Sequence, residues 1–228
     1  MYLMIGTRPD LAAAVSIVSQ FAANPSQTHL QAAKRILRYL KGTTNYTLCL
    51  GMNRNHNQDQ AQAREPAGPY LYGYSDADWG GDISTRKSTS GYVFFISGSI
   101  VSWASKKQST VALSSKEAEY MALTQATKEA IWFRRLLQEL GFQSQKSAAP
   151  TLIYEDNQSC IALAKNPVHH ARTKHIDIQH HFIREKVESC EIRLEYVPTE
   201  EMVADALAKA LPRPRFEKFV GMMGLRPN

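Results

Sequence analysis

The sequence predicts an α/β protein with a mixed five-stranded sheet, flanked by helices and extended by a helical segment at its N-terminus. Two observations favour this fold. Three strand-like segments follow one another between residues 70 and 104 with no helical segment between them, which is typical of an antiparallel meander. Helical and strand-like segments then alternate, which is typical of parallel crossovers into the same sheet. The predicted order is β-β-β-α-β-α-α-β-α.

The composition is that of a globular protein with a moderate basic excess. Hydrophobic residues make up 43% of the 228 residues, and Lys plus Arg outnumber Asp plus Glu by 27 to 21, for a net charge of +6. That charge permits a polyanionic partner without requiring one. Cys49, Cys160 and Cys190 form no C-x-x-C pair, so we expect reduced thiols in an intracellular protein. No apolar run reaches the roughly 18 residues that span a bilayer, and we expect neither a signal peptide nor a membrane partner.

The first 50 residues are predicted to form two amphipathic helices, the second with a basic stripe. Two helices have too few partners to bury their own apolar faces, so we expect them to belong to a larger unit. The helices are predicted from Pro9 to Asn24 and from Ser26 or Thr28 to Gly42, with a capping box over residues 28–31.

The next stretch, residues 51–69, is polar, rich in Asn and Gln, and closes with two prolines. This composition is typical of a flexible linker. We therefore predict a helical segment over 1–50, a linker over 51–69, the main domain over 70–211 and a C-terminal tail over 212–228.

The first strand of the main domain is predicted from Tyr70 to Asp78. Its side chains alternate between faces, so Tyr74, Asp76 and Asp78 lie on the same side. Asp is uncommon in strands, because its carboxylate packs poorly and must lose its water. A turn at Trp79 would explain Asp78 equally well. For Asp76 we favour a role as ligand of a hard cation, shared with acids from elsewhere in the chain.

The remaining elements follow from hydrophobic periodicity and from helix start and stop signals. Strands are predicted at Gly91–Ile96, Ile100–Ala104, Thr151–Glu155 and Glu191–Val197. Helices are predicted from Ser114 to Leu140, from Asp156 through Lys165, over 177–188, and from Glu200 to Ala210 with a stop at Pro212 and Pro214.

Three further acids fall on elements that could meet Asp76. Glu119 lies in the second turn of the long helix, Asp156 ends the fourth strand, and Asp205 lies within the last predicted helix. Each has an ordinary alternative: a surface acid near a helix N-terminus for Glu119, and an N-cap for Asp156. Asp205 is harder to explain, because its apolar neighbours raise the cost of its charge. Four carboxylates that crowded together would suit Mg²⁺, which prefers hard oxygen ligands.

An ordered series of motifs resembles the ribonuclease H domain of copia-type LTR retrotransposon polyproteins. The resemblance covers residues 70–211, and residues 1–50 resemble the stretch that follows the reverse transcriptase palm in the same polyproteins. The polymerase signature Tyr-x-Asp-Asp is absent, so we do not expect polymerisation. The motifs are Tyr74–Gly81, Arg86–Gly91, Ser114–Leu123, Glu155–Asn157, Lys174–Asp177 and Ala204–Leu207.

The resemblance implies a ribonuclease H-like fold and endonucleolytic cleavage of the RNA strand of RNA–DNA hybrids. By motif position, Asp76, Glu119, Asp156 and Asp205 match the family's catalytic, metal-binding acids. They would hold two Mg²⁺ roughly 4 Å apart, with Mn²⁺ as the alternative ion. The implied partners are the hybrid and the reverse transcriptase part of the parent polyprotein. The implied location is the cytoplasm, within a virus-like particle, with the nucleus as the alternative.

Residues near these acids are candidates for nucleic-acid contacts. Ser115 and Gln158, with Asn157 behind them, are candidates for recognising ribose 2′-hydroxyls. Solvated loop charges are the alternative interpretation of the candidate phosphate contacts. Those candidates are Arg86, Lys87, Lys106 and Lys107, with a second basic segment at Arg172, Lys174 and His175.

One departure from the family is visible between the fifth strand and the last acid. Many ribonucleases H carry a mobile His there, and this chain has Val197–Glu201 without one. Either that function is dispensed with or another group replaces it, and the histidines at 169, 170, 175, 180 and 181 lie in the preceding segment. A zinc site formed with Cys160 or Cys190 is disfavoured, because no ligand pair has finger-like spacing.

Two other functions remain open from the sequence. A retrotransposon relic could bind nucleic acid without turnover, although all four acids are retained. An integrase-type nuclease of similar fold would typically carry Glu as its last acid, whereas this chain has Asp205.

Overall fold

A computed structural model describes residues 1–51, 71–142, 149–165 and 174–228, with side chains omitted for 174–177. The strands are Tyr46–Leu48 (β1), Leu71–Ala77 (β2), Thr89–Ile96 (β3), Ser99–Lys107 (β4), Thr151–Glu155 (β5), Ile192–Tyr196 (β6) and Leu225–Pro227 (β7). The α-helices are Tyr2–Gly6 (α1), Ala12–Ser19 (α2), Gln27–Gly42 (α3), Ser115–Glu139 (α4), Gln158–Lys165 (α5), Lys174–Glu188 (α6), Asp205–Ala208 (α7) and Arg213–Met222 (α8). Two 3₁₀ turns lie at Pro9–Leu11 and Thr199–Glu201.

The predicted mixed five-stranded sheet is confirmed. Its strand order is β4-β3-β2-β5-β6. β2, β3 and β4 pair antiparallel, whereas β5 is parallel to both β2 and β6. This order brings the carboxyl ends of β2 and β5 to the same edge of the sheet, where crossover connections leave room for a site.

Both faces of the sheet are covered by packed side chains. Alternate residues of β3 point to opposite faces and show what covers each one. Phe94 packs against Tyr120 and Leu123 of the long helix α4, in a core that also receives Ile153 and Leu194. On the other face, Val93 and Phe95 pack with side chains from the two ends of the chain, namely Ala12, Leu207, Phe219 and Met223. The N-terminal helices and the C-terminal helix α8 therefore share a core with the sheet.

The chain ends also meet through backbone pairing. β1 and β7 form a separate antiparallel ribbon, with Tyr46 opposite Pro227, which the sequence did not predict. The predicted linker lies outside the described residues apart from Gly51, so the division into 1–50, 51–69, 70–211 and 212–228 stays a prediction.

The second N-terminal helix begins at the earlier of its two predicted positions. Ser26 is the N-cap of α3: its hydroxyl accepts a hydrogen bond from the His29 N–H, and the His29 ring accepts one from the Ser26 N–H. The capping box predicted over residues 28–31 is therefore wrong. The reciprocal pair lies two residues earlier, with an imidazole in the place of the usual Glu or Gln.

The long helix α4 is predicted well except at its last turn. Ser114 caps it as expected, but the Glu117 carboxylate accepts from the Leu113 N–H rather than from Ser114. Leu140, predicted on the buried face, is 59% exposed. Gly141 follows it in the left-handed conformation, so the chain leaves the helix at this point.

The largest error concerns the predicted helix from Glu200 to Ala210. The structure has the 3₁₀ turn at Thr199–Glu201 and the short helix α7, so Asp205 opens a helix instead of lying inside one. Pro212 does not end the structured chain but is the N-cap of α8, and a proline follows in its first turn. Proline suits that position, because its missing N–H would have no helical partner there.

Candidate metal and nucleic-acid site

The end of β2 and the second turn of α4 are joined by a carboxylate. The Glu119 Oε2 accepts a hydrogen bond from the Ala77 N–H at 2.7 Å, so Glu119 is fixed beside Asp76. Asp76 itself is fully buried and lies opposite Gly91 in β3. A Cβ at Gly91 would come within 2.8 Å of the Ala204 carbonyl oxygen, so glycine there lets α7 approach the strand.

The third acid follows β5 directly. Asp156 is half-buried, and one of its oxygens accepts from the Thr199 hydroxyl at 2.7 Å. Asn157, not Asp156, caps α5, because the Asn157 Oδ1 accepts from the Cys160 N–H. The alternative interpretation of Asp156 as an N-cap is therefore wrong, and its carboxylate is available to the site.

Together these elements form a cluster of three acids. One carboxylate oxygen from each of Asp76, Glu119 and Asp156 lies within 4.8 Å of the others. Side-chain oxygens so close, from two strand ends and a helix, are the donor set expected for a hard divalent cation.

The fourth predicted acid lies next to this cluster but is held by cations. The Lys209 Nζ donates to Asp205 Oδ1 at 2.9 Å and to Asp76 Oδ1 at 3.0 Å, so it bridges the two carboxylates. The Arg215 guanidinium, from α8, donates to Asp205 Oδ2 and to the Thr199 carbonyl oxygen. In this structure both oxygens of Asp205 are paired with positive charge.

The electrostatics of the cluster show that negative charge is crowded there. Burial, and then repulsion from Glu119, raises the pKa of Asp76 well above its usual range. Burial likewise raises the pKa of Glu119 to about 8; Lys209 opposes this shift and Asp156 adds to it. Burial alone would lower the pKa of Lys209, but Asp76 and Asp205 outweigh it and raise that pKa.

A divalent cation fits this arrangement. Asp76 Oδ2 is buried and has no hydrogen-bond partner among the described residues. A buried, unpaired carboxylate oxygen is costly unless a cation meets it. The residues that could hold the ion are Asp76, Glu119 and Asp156, with Asp205 adjacent once its cations move.

A fifth acid near the cluster, Glu155, was not singled out as a candidate from the sequence. It is fully buried, and neither of its carboxylate oxygens has a hydrogen-bond partner within the described ranges. Burial, with repulsion from Glu119 and Asp76, raises its pKa well above the usual range. The alternation of β5 could have indicated it, because Glu155 shares a face with the buried Ile153.

Sequence reasoning also missed the three side chains that hold the acids. Lys209 follows Asp205 by four residues, a spacing that places the two side chains on one helix face and could have been recognised. Thr199 and Arg215 carry no such signal, since they meet the site only through the fold of the last 30 residues.

The predicted nucleic-acid contacts fall into different surroundings. Ser115 and Gln158 are exposed in the first turns of α4 and α5, beside the acids, and Asn157 is occupied as a cap. Arg86 and Lys106 are exposed and Lys87 is half-buried. Lys107 forms an ion pair with Asp82 and donates to Gln20, so it is less available than predicted. Arg172 and the side chains of Lys174 and His175 lie outside the described residues.

The segment that lacks the family's His contains Thr199, whose hydroxyl contacts Asp156. Among the histidines proposed as substitutes, His180 is buried in the core, with its ring 4.1 Å from the ring of Tyr120. Cys160 is buried and Cys190 is exposed, both as free thiols. No helix within the described ranges has the length and apolar character needed to cross a membrane.

Comparisons with known proteins identify relatives along the whole chain. It is 46% identical over 228 residues to the retrovirus-related Pol polyprotein from transposon TNT 1-94 of Nicotiana tabacum. That match covers 100% of this chain but only 16% of the polyprotein. A second relative, secreted RxLR effector protein 161 of Plasmopara viticola, is 55% identical over 132 residues, 58% of this chain and 84% of that protein.

Among solved structures, the chain is similar to LC11-RNase H1 in complex with an RNA/DNA hybrid, at 16% identity and a TM-score of 0.43. The similarity covers 60% of this chain and 93% of that one. No protein-family model matches the sequence.

Proposed function

Since the chain belongs to the retrovirus-related Pol polyproteins of copia-type transposons and carries their ribonuclease H-like domain, we propose that it hydrolyses the RNA strand of RNA–DNA hybrids with the help of divalent metal ions. The observation that carries this proposal is the cluster of Asp76, Glu119 and Asp156, with oxygens within 4.8 Å of one another. Burying several carboxylates is costly, and neutral side chains would fill the same space at lower cost. The cluster therefore indicates a functional requirement.

The acids have distinct positions in the proposed site. Mg²⁺ or Mn²⁺, when bound in a pair, would supply Lewis acidity and a nucleophilic water at neutral pH. Asp76, at the end of β2, and Glu119, whose carboxylate is held by the Ala77 N–H, would both be ligands of the ions. Asp156, more accessible than either, would be a third ligand, and the Thr199 hydroxyl holds its carboxylate in place.

Asp205 would complete the set after its cations are displaced. Lys209 neutralises Asp76 and Asp205 while the site is metal-free, which limits the repulsion among buried carboxylates. When a phosphate enters, the Lys209 ammonium would shift from these carboxylates to a phosphate oxygen. The chain would thereby retain a positive charge near the scissile position.

The substrate is expected to lie across the exposed N-termini of α4 and α5. Ser115 and Gln158 can present a hydroxyl and an amide to ribose 2′-hydroxyls, and Arg86 and Lys106 can contact phosphates. In the parent polyprotein we propose that the reverse transcriptase part supplies the hybrid to this face.

The experiment that tests the proposal is cleavage of a 5′-labelled RNA strand annealed to DNA or to RNA, with Mg²⁺, Mn²⁺ or EDTA. We expect cutting of the hybrid only, and only with metal. Cleavage of the RNA duplex at the same rate, or cleavage in EDTA, would contradict the proposal.

A second function is favoured by one observation. Both oxygens of Asp205 are paired with Lys209 and Arg215, and a site locked in that state would bind nucleic acid without turnover. A folded preparation that binds the hybrid but does not cut it at any metal concentration would favour this catalytically silent relic.

A further inference from the structure

The two loops next to the acidic cluster carry exposed apolar side chains, which we call the Trp79 ridge. They are Trp79 and Ile83 from the β2–β3 loop and Val111 and Leu113 from the β4–α4 loop. The four side chains are 61%, 87%, 43% and 72% exposed, respectively. Single exposed apolar residues are common, but a cluster of this kind marks a binding surface.

The ridge is held in place from beneath. The Trp79 indole N–H donates to the Ala112 carbonyl oxygen at 3.3 Å, which joins the two loops. Ala112 is buried against Ala77 and the first turns of α4. The Leu113 N–H donates to the Glu117 carboxylate at 3.0 Å. The apolar side chains therefore project from loops that these hydrogen bonds hold in place. Binding would then cost little conformational entropy in the loops.

The ridge adjoins the acidic cluster in the sequence and in the packing of Ala77. Trp79 lies three residues after Asp76, and Leu113 lies just before the helix that carries Glu119. Ala77, which the Glu119 carboxylate binds, packs in the same small cluster as Ala112. The ridge and the acidic cluster are thus two sides of the same strand end.

The charges on and beside the two loops favour a nucleic acid as the partner over a neutral or basic surface. Three exposed basic residues lie on these loops or directly flank them: Arg86 on the β2–β3 loop, Lys106 at the end of β4 and Lys116 at the start of α4. Among nearby acids, Asp82 is paired with Lys107, and Glu117 is buried with its carboxylate on the Leu113 N–H. The ridge is therefore apolar in the middle and basic on its loop sides, and its remaining side borders the acidic cluster.

We propose that the Trp79 ridge is an apolar contact surface that packs against the sugars of the RNA–DNA hybrid next to the scissile phosphate. This proposal rests on the proposed function and adds a binding subsite to it. An A-like duplex has a wide, shallow minor groove that admits such a ridge and exposes its sugars there, whereas its paired bases are stacked on one another. The indole N–H is already paired with Ala112, so the ring face is what remains for the nucleic acid.

The test compares Trp79→Ala with Trp132→Ala. Trp132 is 54% exposed on the same long helix, about 20 Å along the axis from Glu119, so it is a matched control for the loss of an exposed indole. Binding of a fluorescently labelled hybrid is measured by anisotropy in EDTA at low salt, where no turnover is expected. Trp79→Ala should weaken binding about tenfold, Trp79→Phe much less, and Trp132→Ala not at all.

Two controls make the result specific. Thermal unfolding of each variant shows whether the loops remain folded. Quenching of tryptophan emission by the hybrid should also be largely lost in Trp79→Ala and retained in Trp132→Ala. A Trp79→Ala variant that binds the hybrid as tightly as the parent chain would overturn the proposal, and the ridge would then fit a protein partner instead.

The binding assay is independent of cleavage, so the two proposals can fail separately. A chain that never cuts the hybrid, yet loses affinity on Trp79→Ala, would contradict the proposed activity and support the ridge. A chain that cuts the hybrid and is indifferent to Trp79 would do the reverse.

Discussion

Asp156 is the acid whose replacement tests the site most directly. Unlike Asp76, it is not fully buried, so its replacement by Asn should leave the fold intact. The Thr199 hydroxyl can still donate to the Asn carbonyl oxygen. We expect Asp156→Asn to lower cleavage by at least 100-fold, because it removes a charged metal ligand, and to leave hybrid binding at low salt unchanged.

Glu200→Gln is the matched control for that variant. Glu200 is an exposed acid in the neighbouring 3₁₀ turn, and its side chain has no contact with the cluster among the described residues. It should cleave like the parent chain. If Asp156→Asn cleaves normally while Glu200→Gln does not, the site has been assigned to the wrong acids.

The raised pKa of Glu119 predicts a pH dependence of the metal-free protein. Burial raises this pKa from 4.5 to about 8, so between these values the folded state binds a proton that the unfolded state has lost. The free energy of unfolding should therefore fall as the pH rises through that window. Urea unfolding in EDTA at pH 5, 6.5 and 8 measures the trend.

Two variations of that experiment assign the effect. Glu119→Gln keeps an acceptor for the Ala77 N–H but cannot ionise, so the decline should become shallower, with a remainder from Asp76. Mg²⁺ should reduce the decline in the parent chain, because it stabilises the ionised carboxylates. A metal-free protein that gains stability from pH 5 to pH 8 would show that these carboxyls are not buried together.

At the residue scale, sequence reasoning found acids more readily than the groups that surround them. Asp76 could be identified because a carboxylate is unusual at the end of an aromatic strand. Glu155 is equally unusual in β5, but the sequence analysis selected its neighbour Asp156 instead. Arg215 gives no such signal, because an arginine in a terminal helix is common and only the fold brings it to Asp205.

The C-terminal helix α8 acts on the site through that arginine. The Arg215 side chain crosses from α8 to Asp205 and Thr199, and its guanidinium lies 5.4 Å from the centre of the Phe219 ring. We expect Arg215→Met to strengthen Mn²⁺ binding at the site, because it removes a cation that pairs with Asp205 and competes with the metal ion for that carboxylate. Calorimetric titration with Mn²⁺ measures this without reliance on turnover.

Arg213→Met is the matched control on the same helix. Arg213 is largely exposed and, within the described part of the chain, pairs only with Glu217 one turn later, an interaction of small energetic value. Its Mn²⁺ affinity and urea midpoint should equal those of the parent chain. Equal Mn²⁺ affinity in Arg215→Met would mean that α8 supports the fold alone.

At the element scale, helices and strands were predicted correctly where their hydrophobic periodicity is strong. The sheet strands and α4 were predicted because their apolar residues repeat with periods of 2 and 3.6 over several turns or pleats. The segment from Glu200 to Ala210 has the helical period but folds as a 3₁₀ turn and a short helix, with Met202 outside the helical conformation between them. β1 and β7 are each three residues long, too short for any periodic signal.

At the scale of the whole molecule, the two ends of the chain complete the core that the sheet begins. Ala12, Phe219 and Met223 pack with Val93 and Phe95 on one face of the sheet. The Trp103 indole N–H, from β4, donates to the Met4 carbonyl oxygen at 2.8 Å. Contacts between residues about 80 or more positions apart leave no trace in local sequence patterns, so the sequence could not show that these ends dock on the sheet.

This shared core predicts cooperative unfolding of the N-terminal helices with the sheet. Phe219 is fully buried between them, so Phe219→Ala should lower the free energy of unfolding by about 3–5 kcal/mol. Phe142→Ala, at a side chain that is 60% exposed, should have a small effect. Urea unfolding followed by tryptophan fluorescence and by far-UV circular dichroism measures both variants.

Coincident single transitions are expected, because Trp103 reports on the contact between the N-terminal segment and the sheet. A separate early transition at Trp103 in the parent chain would mean that the N-terminal helices unfold on their own.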